Sequence, residues 1–156
     1  MENIIFTIIG GFLIFVSGQF VLKLVIEPVQ ELKKSLSFVS YLLLLHQAKL
    51  RGATSNKEIA DEIKSKSADI LSKSSLIIGD GRLFLKIFGL PSKSNILLAS
   101  KELISISYGM LEESKAIQDS PNYNAKKIDF PKQNTKAISE VAKLLGIRTS
   151  YEWIGE

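Results

Sequence analysis

Pro91-Ser92-Lys93-Ser94-Asn95 is the stretch whose residue types best suit binding of an anion. It opens a helical pattern, and a helix N-terminus presents free backbone N–H groups and the positive end of the helix dipole to a phosphate. Hydroxyls, an amide and a lysine ammonium lie beside those groups, and Arg82 and Lys86 sit a few residues upstream. Arg82, Lys86, Ser92, Lys93 and Asn95 therefore form a candidate anion-binding set. The same residues also read as an ordinary N-cap with solvated lysines. Tyr151 and Trp153 make an aromatic pair on the tail, suited to docking onto the domain or onto a neighbour.

Other chemistry finds little footing. The chain has no cysteine and one histidine, His46, at the end of a run of leucines. No H-E-x-x-H or paired carboxylates at ligand spacing mark a metal site, so no metal and no cofactor is expected. Nucleophilic catalysis needs an oriented base beside a nucleophile, and no serine stands in G-x-S-x-G. Gly79-Asp80-Gly81 lacks the further glycines and the lysine of a phosphate loop. The expectation is a protein that is not an enzyme. Its net charge of +4 over 156 residues favours anionic partners, but it is not the dense basic stripe of a DNA binder.

The elements that must position these residues begin with the amino-terminal segment. Ile4 to Leu22 gives 19 residues without a charge, and every lysine and arginine lies at or after Lys23. About 20 apolar residues cross a hydrocarbon core of about 30 Å. Phenylalanine, isoleucine and leucine occur on every face, unlike the stripe of an amphipathic core helix. The start Met1-Glu2-Asn3 lacks the positive region of a cleaved signal, and no A-x-A-like site follows. The reading is a retained anchor over residues 1–27. Lys23, Lys33 and Lys34 follow it, which places the carboxyl side in the cytoplasm and the amino terminus outside, as in a bacterial inner membrane. Thr7, Gly10, Gly11, Ser17 and Gly18 form a stripe of small residues, and Gln19 can bond across a helix contact. These six residues are candidates for self-association of the span.

Residues 28–50 continue the helical pattern as a juxtamembrane or stalk helix, packed into a bundle or against symmetry mates. Pro28 is expected to kink it or to start a new helix. Leu32, Leu36, Val39, Leu42 or Leu43, and Leu45 or His46 recur at spacings of three and four. Residues 51–156 read as a small helical domain. Gly52 ends one helix, and Thr54, Ser55 or Asn56 caps the next. Ile59, Ile63, Ile70 and Ile77, with Ser67 and Ser74, form a narrow apolar face. Lys57, Lys64, Lys66 and Lys73 opposite read as a solvated surface. Arg82–Phe88 suits a short helix or a strand. Ser92 caps a helix that buries Ile96, Ala99, Leu103, Ile106 and Met110. A polar, exposed connection holding Pro121 and Pro131 precedes a last helix from Thr135 to Leu145, stopped by Gly146. The fold class is all-α, with a thin core that gains from oligomerising.

"GQFVLKLVIEPVQELKK", "FGLPSKSNILLASKELISIS" and "VAKLLGI" resemble a broad group of small bacterial single-span proteins with a kinked juxtamembrane helix and a helical cytoplasmic domain. In size and plan the chain is also similar to the small membrane-bound accessory effectors of type III CRISPR antiviral immunity. That likeness implies a homo-oligomer, with a tetramer favoured, around a cyclic oligoadenylate, with cyclic tetra-adenylate favoured. It implies a bilayer as the target. For such a ligand the anion-binding set Arg82, Lys86, Ser92, Lys93 and Asn95 supplies the candidate contacts, with Tyr151 or Trp153 as base-stacking alternatives. The alternatives are a membrane-tethered adaptor for a protein partner and a constitutive, toxin-like pore former.

Overall fold

A computed structural model describes residues 2–77, 82–111 and 129–151, with side chains from residue 4 and, in the second segment, from residue 85. Among the described residues every regular element is helical. Helix α1 runs Glu2–Val21, a π-helical turn covers Leu22–Ile26, and α2 runs Glu27–Leu45. Together they give one helix, Ile4–Leu45 over 42 residues, long and apolar enough to cross a membrane. Then come α3 (Gln47–Arg51), α4 (Lys57–Ser75), α5 (Arg82–Phe88), α6 (Lys93–Gly109) and α7 (Phe130–Leu145).

The chain does not break at Pro28. Proline lacks an N–H, and inside an α-helix its ring meets the carbonyl four residues back. Here the turn just before it is widened, with the Glu27 N–H bonded to the Leu22 carbonyl five residues back. Pro28 then falls in the first turn of α2, directly after the widened turn. A π turn is one of the few ways a helix absorbs such an insult without ending.

The core lies among α2, α4, α6 and α7. Val29, Leu32, Leu36, Val39, Leu42 and Leu43 of α2 are buried, while Leu45 is 54% exposed. They meet Ile59, Ile63, Ile70 and Ile77 from α4 and just beyond it, and Ile96, Leu103, Ile106 and Met110 from α6 and its end. Helix α4 runs antiparallel to α2 and to α6. Its C-terminal end shares a crevice with Leu32 and with the start of α6. At the other end, the Asn56 N–H donates to the Met110 carbonyl at 3.0 Å. Two buried serines let α4 and α6 close: Ser67 Oγ donates to the Ser100 carbonyl at 3.0 Å, and Ser100 Oγ returns to the Ser67 carbonyl at 3.4 Å. After α7, Gly146 takes the left-handed conformation (φ 65°) that ends the helix. The chain then crosses α2, where Ser40 Oγ donates to the Arg148 carbonyl at 2.5 Å.

Helix α7 starts five residues before the Thr135 expected from sequence. Asp129 caps it, accepting from the Lys132 N–H at 3.1 Å, and Pro131 sits in its first turn. Proline there is favoured rather than disruptive, so it belongs to the helix and not to the connection before it.

Helix α7 packs tightly against α6 at Gly109. A Cβ there would lie 2.8 Å from Asn134 Oδ1 and 3.2 Å from Phe130 Cδ1. Asn134 is itself buried and donates its Nδ2 to the Leu50 carbonyl at 3.0 Å. Gly109→Ala is therefore expected to displace Asn134 and cost about 1–3 kcal/mol. Urea unfolding of the full chain in detergent reads this as a lower midpoint at unchanged slope.

Candidate functional site

Three places could carry function: the start of α6, a groove between α3 and α7, and a polar clamp between α2 and α4.

Helix α5 ends at Gly89, which takes a left-handed φ of 59°. The Leu90 N–H folds back onto the Leu85 carbonyl at 2.9 Å. Pro91 turns the chain, and Ser92 caps α6 by accepting from the Asn95 N–H at 3.1 Å. Ser92 and Ser94 share a further hydroxyl hydrogen bond of 2.9 Å. Lys86 is exposed, and Ser92, Lys93 and Asn95 are half-buried. These four thus stand at one end of the bundle, the end from which α1 leaves. Lys93 borders a crevice walled by Leu32, Ile77, Leu85, Leu90 and Ile96, with a cavity of about 10 Å³. That is space for one water at most, so an anion held here would sit on the surface. Arg82 opens α5, but its side chain lies outside the described residues. Trp153 and the Gly79-Asp80-Gly81 turn lie outside them too. Tyr151 is 75% exposed.

The groove was not singled out from sequence. Arg51 from α3 faces Lys132, Thr135, Lys136, Ser139 and Glu140 of α7 across a space of about 670 Å³, with Asp129 at one end. Lys132 and Lys136 are four residues apart and so share a helix face. That spacing was the available signal. What it lacked was Arg51, which only the packing of α3 on α7 brings alongside. The lining offers three cations and two hydroxyls, set against the carboxylates of Asp129 and Glu140.

In the clamp, Ser35 Oγ donates to Asp69 Oδ2 at 2.6 Å. Lys73 Nζ donates to Ser35 Oγ at 2.7 Å and to Asp69 Oδ2 at 3.1 Å. Glu31 stands 3.8 Å from Lys73 and 2.9 Å from Lys34. Lys73 is therefore not part of a solvated face. Lys66 lies over the exposed ring of Phe38, its ammonium 4.2 Å from the ring centre. Burial pushes the Asp69 carboxyl up, but the Ser35 hydroxyl and Lys73 outweigh it, and the group ends below its ordinary value. The Lys34 ammonium likewise lowers Glu31.

A carboxyl lowered on folding contributes stability above its unfolded pKa and loses it as pH falls through the lower, folded value. Acidification below about pH 4 is thus expected to loosen α2 from α4. Asp69→Asn should flatten that part of the profile, which thermal midpoints of both proteins across acidic pH would show.

Along α1, a Cβ at Gly10, Gly11 or Gly18 would meet nothing within 4 Å. Thr7, Ser17 and Gln19 are exposed beside them. Among the described residues no group of three or more His, Cys, Asp or Glu could hold a metal ion.

No protein-family model, no curated protein and no solved structure matches this chain.

Proposed function

We propose that the chain is a single-span membrane effector, amino terminus outside and bundle in the cytoplasm, that turns recognition of an anionic signal into a change at the span. The observation that supports this is the unbroken helix Ile4–Leu45. Its first half is exposed along its length, and its second half is buried against α4. No loop intervenes to absorb a movement, so a shift of α2 in the bundle is a shift of the span. A signal acts on such an equilibrium through its different affinity for the two arrangements.

The orientation rests on Lys23, Lys33 and Lys34 following the span. The ligand class, a cyclic oligoadenylate with cyclic tetra-adenylate favoured, and the role in antiviral defence rest on the resemblance. A ring of subunits would repeat the same contacts around a cyclic ligand, and the bare glycines of α1 leave room for spans to meet. Lys86, Ser92, Lys93 and Asn95 offer the phosphates a surface, and Arg51, Lys132 and Lys136 offer them a wider groove.

The test is thermal unfolding of the full chain in detergent with cyclic tri-, tetra- and hexa-adenylate and linear controls. One ring size near 100 times its Kd should raise the midpoint by about 5–10 °C. No rise with any of them, in folded protein, would replace this reading with the membrane-tethered adaptor. Toxicity on expression without any signal would replace it with the constitutive pore former.

A further inference from the structure

Outside the amino-terminal helix, the two most exposed aliphatic side chains among the described residues are Ile87 at 69% and Leu76 at 62%. They are not scattered. Leu76 ends α4 and Ile87 lies on α5, both at the end of the bundle from which α1 departs. Helix α5 is two-sided: Leu85 and Phe88 pack against the core, while Lys86 and Ile87 face outward.

The height of this end above the span follows from the helix itself. The apolar run continues past Lys23 through Leu24, Val25 and Ile26. Leu32, which shares the crevice with Leu85 and Leu90, stands six residues beyond Ile26, a rise of about 9 Å. The headgroup layer of one leaflet is about 5–8 Å deep. Helix α5 therefore lies at the level of the headgroups or just beyond them. Lys23, Lys33, Lys34 and Lys86 are exposed at this end, against Glu27 and Glu31, a balance that suits lipid phosphates. Aliphatic side chains flanked by lysines are the composition of an interfacial contact.

We propose that the end of the bundle carrying α5 rests on the membrane surface, with Ile87 and Leu76 set among the headgroups and Lys86 against lipid phosphate. The proposal rests on α1 being a span. It adds a second hold on the bilayer, so that the bundle is seated on the membrane and not swung freely from it.

The absence of cysteine allows single spin labels in the full chain. Ile87→Cys, Ser65→Cys on the outer face of α4, and Leu13→Cys in the span would be labelled separately. Each would be placed in nanodiscs of phosphatidylcholine mixed with phosphatidylglycerol. The expected result is that position 87 collides more with lipid-soluble oxygen than with a water-soluble nickel chelate. Position 65 should show the reverse, and position 13 should read deep in the hydrocarbon. Adding Lys86→Glu should shift position 87 toward the aqueous pattern. Position 87 reading like position 65 while position 13 reads deep would overturn the proposal and leave the span intact. Position 87 shielded from both reagents would overturn it in favour of a second copy of the chain. Position 13 in water would remove the span and the proposal together.

Discussion

Leu43→Ala is expected to lower the thermal midpoint of the full chain by about 5–20 °C, the consequence of a loss of about 2–5 kcal/mol. Leu43 is fully buried and lies with Val39, Ile63 and Leu103 where α2, α4 and α6 meet. The space around it is already filled by branched side chains held in three helices, so the cavity cannot collapse. Leu45, two residues on, is 54% exposed, and Leu45→Ala should stay within about 0.5 kcal/mol of the parent. The contrast matters more than either value. A helix standing clear of the bundle would show no difference between the two positions. Calorimetry of both variants in one detergent decides it.

The second large effect concerns α1 as the proposed span. Leucine, isoleucine, phenylalanine and valine each favour insertion by about 0.3–0.6 kcal/mol, and a central lysine opposes it by about 2.5–3.5 kcal/mol. Ile4–Leu22 is rich enough in such residues that one lysine would not cancel their sum. Leu13→Lys together with Ile14→Lys should. Both positions are exposed, at 57% and 76%, so neither change disturbs the bundle. The doubly substituted chain is expected to leave the membrane fraction on alkaline extraction, while the parent stays. Retention of both would mean that something other than α1 holds the chain to the bilayer.

Much of the architecture was legible because it follows from local rules. Asn56, Ser92 and Gly146 act as the caps that their residue types suggest. The isoleucines of α4 and the stripe of α6 are buried at the spacings the sequence shows. What was not legible depends on partners distant in the chain. Lys73 reads as solvated until Ser35, 38 residues earlier, is brought beside it. Arg51 joins Lys132 and Lys136 only through the docking of α3 on α7. Ser67 lies on the apolar face that its spacing shows, but its partner Ser100, 33 residues on, is known only from the packing. Pro131 misled for a simple reason: a proline is a break within a helix but acceptable in its first turn, and sequence alone does not say where that turn begins. Of the candidate site, the grouping of Lys86, Ser92, Lys93 and Asn95 was visible from sequence. The wider basic groove was not.

Continuity from the span into the core is best measured as a distance. Spin labels at Phe20→Cys and Ser37→Cys, both exposed, flank the π turn and Pro28. The labelled chain would be diluted with unlabelled protein in nanodiscs, so that only distances within one chain are read. An unbroken helix places the two sites about 26 Å apart in a single narrow distribution. A broad distribution, or a mean several ångströms shorter, would show a hinge at the membrane surface and contradict the transmission of bundle packing to the span.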